Sequence, residues 1–321
     1  MQANFEAKEW PTHDTSTPPV AMSGLLSHLE VALTETMRFL PVSWTSGIGA
    51  KLGELTVKKA EKNDAPWVRR FNANVKHLCN AQLPSDQQAL LRAYGEQVGR
   101  LYAEYTILQK MSRQGRIEID GEKNLQNLTK PVVFTSPHLA NWEVIFQVFA
   151  ERGEPTCVLY EPREGEARMK IANRARLAWG DNITLASTQE PMVMRKLDSL
   201  LREKSNLYIL ADEEKSGFVF SPSLGRDLPY AGNRWMLSRL AARHLIDVVP
   251  LYVTRFASTR FKIHIDPKIT PDPNLERIQR AKQISDQIDQ KFDRWVRQKP
   301  EHWYWLPQLD FNVKRASKKS G

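Results

Sequence analysis

Cysteine is almost missing from this 321-residue chain: Cys79 and Cys157 are the whole complement. Two thiols are too few for a cysteine-rich metal site or a disulfide-stapled scaffold, and they suit a reducing, cytosolic compartment. Long apolar runs are missing as well. No stretch approaches the roughly 18 uninterrupted apolar residues of a spanning helix, and the first residues show no basic start followed by an apolar run and a cleavage site, so neither spanning nor export is expected. The glycine signatures of nucleotide binding are absent too, since neither a dinucleotide fingerprint nor a phosphate loop occurs. No internal repeat is present.

What remains is a globular composition. Hydrophobic residues make up 41% and charged residues 26%, which excludes disorder or a collagen-like repeat as a description of the whole chain. The length allows one large domain or two smaller ones. Lys and Arg number 46 against 37 Asp and Glu, a net charge of +9. That balance favours anionic partners and by itself does not choose among nucleic acid, anionic lipid and an acidic protein. No nucleic-acid-binding motif accompanies the charge, so nucleic acid is not expected as a partner.

The pattern along the chain divides it. Residues 1–22 read as a loose, proline-containing lead-in. From Ser23 to about residue 115 apolar residues recur at helical spacing, through Leu25, Leu26, Leu29 and Leu33 and again through Ile48, Leu52 and Leu55, with Pro84-Ser85-Asp86 opening a further helix to about Met111. Residues 116–312 alternate short β-prone runs with helical patterns: strands around Val132 to Thr135, Thr156 to Tyr160, Asn182 to Ala186, Leu207 to Leu210, Val248 to Val253 and Arg260 to Ile265, and helices at Glu143 to Ala150, Glu164 to Trp179, Met192 to Glu203, Arg234 to His244 and Leu275 to Gln298. Residues 313–321 read as a basic, solvated tail.

The sharpest chemical feature follows the strand at Val132: Ser136-Pro137-His138-Leu139-Ala140-Asn141-Trp142-Glu143. A His and a carboxylate five positions apart would sit about 140° from each other on an ideal helix, so they meet only if His138 lies on a strand-to-helix turn. Pro137 favours such a turn, and the carboxyl end of a strand in an open α/β sheet is where ligands bind. A paired carboxylate would orient the imidazole while the other ring nitrogen takes a proton from a hydroxyl. Spacing alone leaves open a second reading, in which His138 is a turn residue and Glu143 complements a helix dipole.

His138-Leu139-Ala140-Asn141-Trp142-Glu143 resembles the His-x4-Glu signature of the lipid A late acyltransferases, a branch of the lysophospholipid acyltransferase superfamily. Further blocks follow in that family's order. Tyr160-Glu161-Pro162 is similar to its Tyr-Arg-Pro, Arg174-Ala175-Arg176 to the basic end of the next helix, and Ala211-Asp212-Glu213-Glu214 to its Pro-Asp-Gln-Asp loop. Pro300-Glu301-His302-Trp303-Tyr304-Trp305-Leu306 resembles its closing Pro-Glu-Gln-Tyr-x-Trp-Leu. The resemblance runs from about Leu33 to Phe311.

It implies an α/β fold of the glycerolipid acyltransferase type, with a mixed, mainly parallel sheet flanked by helices behind a helical N-terminal portion. It further implies O-acyl transfer from an acyl thioester, on acyl carrier protein or coenzyme A, to a hydroxyl of a bacterial membrane lipid such as a lipid A precursor. His138 would be the base and Glu143 its orienting carboxylate. Arg163, Asp212, Glu213 and Arg174 would bind substrate. No metal or redox cofactor is implied. The expected partners are acyl carrier protein, an anionic lipid surface and the lipid acceptor, and the expected location is peripheral, at the cytoplasmic face of the inner membrane.

Departures from the family matter equally. Glu161 replaces the arginine of Tyr-Arg-Pro, and Pro307-Gln308-Leu309 replaces a basic His-Arg-Arg, so cations that would meet phosphate are lost. A different phospholipid or glycolipid acceptor, or a lipid- or carrier-binding module without catalysis, are the alternative expectations. Where the family has an apolar anchor, Ser23 to Leu40 carries Glu30, Glu35 and Arg38, which suits a helix lying in the interface, aided by Lys51, Lys58, Lys59, Lys62, Arg69 and Arg70.

Overall fold

The structure, a computed structural model, describes residues 36–78, 87–128, 131–162, 166–215, 218–309 and 311. The expected lead-in, most of the helix expected from Ser23, the Pro84-Ser85-Asp86 helix start, Arg163 and the basic tail lie outside these residues.

Helices α1 (Val42–Lys62), α2 (Pro66–Leu78), α3 (Gln87–Glu104) and α4 (Leu108–Arg113) come first. The α1 helix packs on α3 through glycines four apart on each: a Cβ added at Gly53 would stand 1.9 Å from the Gly95 carbonyl oxygen, and one at Gly99 2.1 Å from that of Gly49. Only glycine lets the two backbones approach so closely.

The remaining chain supplies the strands β1 (Ile117–Asp120), β2 (Val133–Ser136), β3 (Thr156–Tyr160), β4 (Ile183–Ser187), β5 (Asn206–Leu210), β6 (Glu214–Lys215), β7 (Phe218–Val219), β8 (Val248–Ala257) and β9 (Arg260–Ile265). Seven of them form one sheet in the order β1-β9-β8-β2-β5-β3-β4, and β6 with β7 makes a small separate ribbon after β5. Within the large sheet the hairpin β8–β9 is antiparallel and the other neighbours are parallel, giving a mixed, mainly parallel sheet.

Parallel strands joined by helical crossovers are covered on both faces, which is why they read as continuous apolar runs. Successive residues divide between two cores. Val133, Cys157, Leu207 and Val248 pack with Leu197, Leu240, Ile284 and Phe292, whereas Phe134, Val158, Tyr208 and Val249 pack with Met111, Phe146 and Phe149. The flanking helices are α5 (Phe146–Arg152), α6 (Glu166–Leu177), α7 (Val193–Arg202), α8 (Gly232–His244) and α9 (Arg277–Gln298). Among the described residues no helix is long and apolar enough to cross a membrane.

Candidate active site

Sheet register decides which carboxylate His138 meets. In the parallel β2–β5 pair Ser136 lies opposite Leu210, so two residues further along each chain His138 lies beside Asp212, both just past the carboxyl ends of adjacent strands. Asp212 is fully buried. Its Oδ1 stands 2.6 Å from His138 Nδ1, and its Oδ2 accepts the His138 backbone N–H at 2.7 Å and the Trp303 indole N–H at 2.8 Å.

A carboxylate oxygen 2.6 Å from Nδ1 requires a proton between them, which in a neutral imidazole selects the Nδ1–H tautomer and leaves the lone pair on Nε2. Nε2 has no hydrogen-bond partner among the described residues. Trp142 and Trp305 pack edge-on to the imidazole at centroid distances of 4.5 and 5.3 Å, and the Trp305 indole nitrogen lies 3.1 Å from Nδ1.

The closing aromatic segment fixes the turn that carries the histidine. Tyr304 N–H donates to the His138 carbonyl at 3.0 Å and Ala140 N–H to that of His302 at 2.9 Å. Between them Ala140 takes a left-handed conformation, φ 51°, unusual for a residue with a Cβ and sustained here by those backbone bonds. Trp303 and Trp305 are thus core, and the Trp303 indole donates to the dyad.

Glu143 does not contact His138, contrary to the pairing expected from the sequence. The reversal at Ala140 and the short 3-10 helix Trp142–Ile145 carry it to a different partner. There, buried, it receives Arg176 Nε at 2.9 Å and Nη2 at 2.5 Å, with Tyr105 Oη and Trp142 Nε1 each donating at 3.2 Å. Burial works against the charge on Arg176, but the Glu143 carboxylate outweighs it and raises the guanidinium's pKa. The guanidinium therefore stays charged. The pair braces the segment behind the histidine, while Asp212, expected as a substrate contact, is the group that orients the ring.

The other expected site residues disperse. Arg174 is exposed on α6; residues two apart on a helix point about 200° from each other, so when Arg176 faces Glu143, Arg174 faces outward. With Pro162, Met169, Lys170, Asn173 and Leu177 it lines an open groove of about 740 Å³. Glu213 lies next to Asp212, mostly buried, its Oε1 accepting the Asn233 N–H at the start of α8 at 2.8 Å. Burial, seconded by Glu161 and Asp212 against that N–H, pushes its pKa up to about 7.

A further brace has no counterpart in the sequence reading. Glu104 at the end of α3 is fully buried, clasped by Arg255 Nη1 and Nη2 at 2.8 and 2.7 Å, and it accepts from Asn141 of the histidine motif at 2.9 Å and from Ser46 of α1 at 2.7 Å. The helical N-terminal portion is thereby tied to the histidine turn. Arg176 was visible in the sequence beside Arg174; Glu104 carried no local signal.

The model of the family described as bacterial lipid A biosynthesis acyltransferase matches residues 20–309. No curated protein matches the sequence significantly. Among solved structures, that of the 1-acyl-sn-glycerophosphate (LPA) acyltransferase, PlsC, from Thermotoga maritima is similar over 71% of this chain and 94% of that chain, with 10% sequence identity and a TM-score of 0.36, too distant to bear on the chemistry.

Proposed function

The chain belongs to the bacterial lipid A biosynthesis acyltransferase family, and on that premise we propose that this acyltransferase moves a fatty acyl chain from a thioester of acyl carrier protein, or of coenzyme A, to a hydroxyl of a bacterial membrane lipid resembling a lipid A precursor. The observation that carries the reading is the oriented imidazole, with Nδ1 held by Asp212 at 2.6 Å and Nε2 left as a base. The acceptor O–H gives its proton to Nε2 as its oxygen bonds to the thioester carbonyl carbon. Collapse of the tetrahedral intermediate breaks the C–S bond, and the departing thiolate takes the proton back from the imidazolium. Asp212 stabilises that imidazolium while it lasts. No covalent acyl-enzyme is needed.

Glu143 and Arg176 act as positioning residues, and the groove beside Arg174 and Lys170 is offered as the approach for phosphate-bearing substrate. The reaction is assigned to the cytoplasmic face of the inner membrane, with peripheral attachment. A second reading of the acceptor has its own support: Glu161 stands where the family carries an arginine, with the carboxyl of Glu213 close enough to feel its charge, which favours an acceptor whose reacting end is not phosphorylated.

The test is to incubate purified protein with acyl carrier protein charged with a fatty acid, and separately with acyl-coenzyme A, in the presence of bacterial lipid extract, and to follow by mass spectrometry which lipid gains an acyl chain. His138→Ala should lower the rate by at least ~10², the scale of general acid–base catalysis, without changing the melting temperature appreciably. Equal turnover by wild type and variant would defeat the mechanism.

A further inference from the structure

We propose that the outward face of α1 is the surface on which the protein lies against an anionic lipid bilayer; this rests on the reading that the acceptor is a membrane lipid. One side of the helix packs inward through Val42, Thr45, Gly49, Gly53, Val57 and Ala60. The opposite side should be polar if it faced only water. Instead Trp44, Ile48, Leu52 and Leu55 stand 65%, 38%, 50% and 50% exposed, and Phe39 just before the helix 75%.

Their spacing makes a stripe. At 100° per residue Trp44, Ile48, Leu52 and Leu55 fall within about 80° of one another, and Lys51, Lys58, Lys59 and Lys62 lie on or beside the same rows, so that all eight occupy a sector of about 120°. Glu54, which pairs with Lys51 and Lys58, and Glu61 fall outside that sector. Lys59 and Lys62 form no ion pair among the described residues. Arg38 adds a guanidinium 4.8 Å from the Phe39 ring.

An apolar stripe containing a tryptophan and bordered by lysines fits one chemistry, the boundary between acyl chains and anionic headgroups, where the stripe enters the apolar layer and the lysines meet phosphate. The tip of the β8–β9 hairpin, whose Ser258 carbonyl accepts from Ser46 on the inward side of α1 at 3.3 Å, carries a similar set of groups. There Phe256 is 49% exposed with Arg260 and Lys262 5.7 and 5.9 Å from its ring. Docking by this face would set α1, and through Ser46, Glu104 and Asn141 the histidine turn, at the level of the acceptor's headgroup.

The experiment uses the full chain with vesicles of phosphatidylcholine alone or with phosphatidylglycerol, at low and high salt, and two variants: Trp44→Ser with Leu52→Ser, and Lys58→Glu with Lys59→Glu and Lys62→Glu. Wild type should co-sediment with the phosphatidylglycerol vesicles and be released by ~1 M salt. The lysine variant should bind at least ~10² more weakly, from roughly fivefold per lysine, and the apolar variant should lose binding even at low salt. Both should melt as wild type does and transfer acyl chains to a detergent-dispersed acceptor within about threefold of its rate. Undiminished vesicle binding by either variant overturns the proposal. So does a fall in melting temperature or oligomer mass of the apolar variant, which would mean that residues 1–35 or a second copy cover the stripe. Loss of vesicle binding by the variants together with no acyl transfer by wild type would uphold the docking face and reject the reaction assigned above.

Discussion

Replacing Asp212 by asparagine tests the dyad with little change of shape. Asp212 Oδ2 accepts two N–H groups, from the His138 backbone and Trp303, while Oδ1 faces His138 Nδ1. An amide has one accepting atom and one donating atom. The two donors at the Oδ2 position dictate that the oxygen of the introduced amide sits there, so its NH2 points at Nδ1. Nδ1 must then accept, and the Trp305 indole 3.1 Å away would donate to it as well. The proton moves to Nε2, and the lone pair that takes the substrate's proton disappears. The imidazolium formed in the reaction also loses its counter-charge. Together these should lower kcat by ~10² to ~10⁴ with a small change in KM, the range for a base lost or held in the wrong tautomer.

Most of the hydrogen bonds survive in Asp212→Asn, so unfolding in urea should shift by no more than ~1–2 kcal/mol. Thiol release from acyl thioester in the presence of acceptor lipid measures the rate, and nitrogen-15 spectra of labelled histidine report the tautomer independently. Turnover within about threefold of wild type, or an Nδ1–H tautomer persisting in the variant, would refute the argument.

Arg176→Met should leave the buried Glu143 carboxylate uncompensated and cost ~3–5 kcal/mol in urea unfolding, part of which Glu143→Gln in the same chain should restore. The folded-state pKa of Glu213 is raised from 4.5 to about 7, chiefly by burial, so its contribution to stability is fully present below pH 4.5 and is lost as pH rises towards 7. Glu213→Gln should flatten the melting-temperature profile across that window and leave it unchanged on the acid side. Gly53→Ala places a Cβ 1.9 Å from the Gly95 carbonyl oxygen, so α1 and α3 must separate; a loss of ~2–3 kcal/mol is expected, read as a lower urea midpoint.

The strands were legible because both faces are buried and the runs are short and apolar: Thr156–Tyr160 and Arg260–Ile265 have the bounds that the sequence suggested. The helix expected to continue to Met111 instead stops at Glu104 and resumes at Leu108. Glu104 turns inward to Arg255, 151 residues away, and no local periodicity encodes such a partner. The site shows the same limit. His138 is recognisable from its motif and from its place after a strand, but the carboxylate five residues on is carried away from it where Ala140 reverses the chain. Asp212, 74 residues on, comes to the histidine through β2–β5 pairing, which can be inferred only once the strand order is known. Arg174 and Arg176 were indistinguishable by type, and helix phase against the sheet separates them.

The β2–β5 register has a consequence for how the protein is made. Parallel neighbours cannot close as a hairpin, and loop closure over such separations makes their pairing a slow step. Helical signal in α1, α3 and α9 can form from local contacts, whereas catalytic competence must wait until two distant strands have met. A slip of one residue would move Asp212 about 3.3 Å along the strand and exchange Leu207 and Tyr208 between opposite cores, so a nearly native misfold would be inert instead of slow. Turnover in a refolding chain therefore counts the molecules whose central sheet has zipped in the right frame.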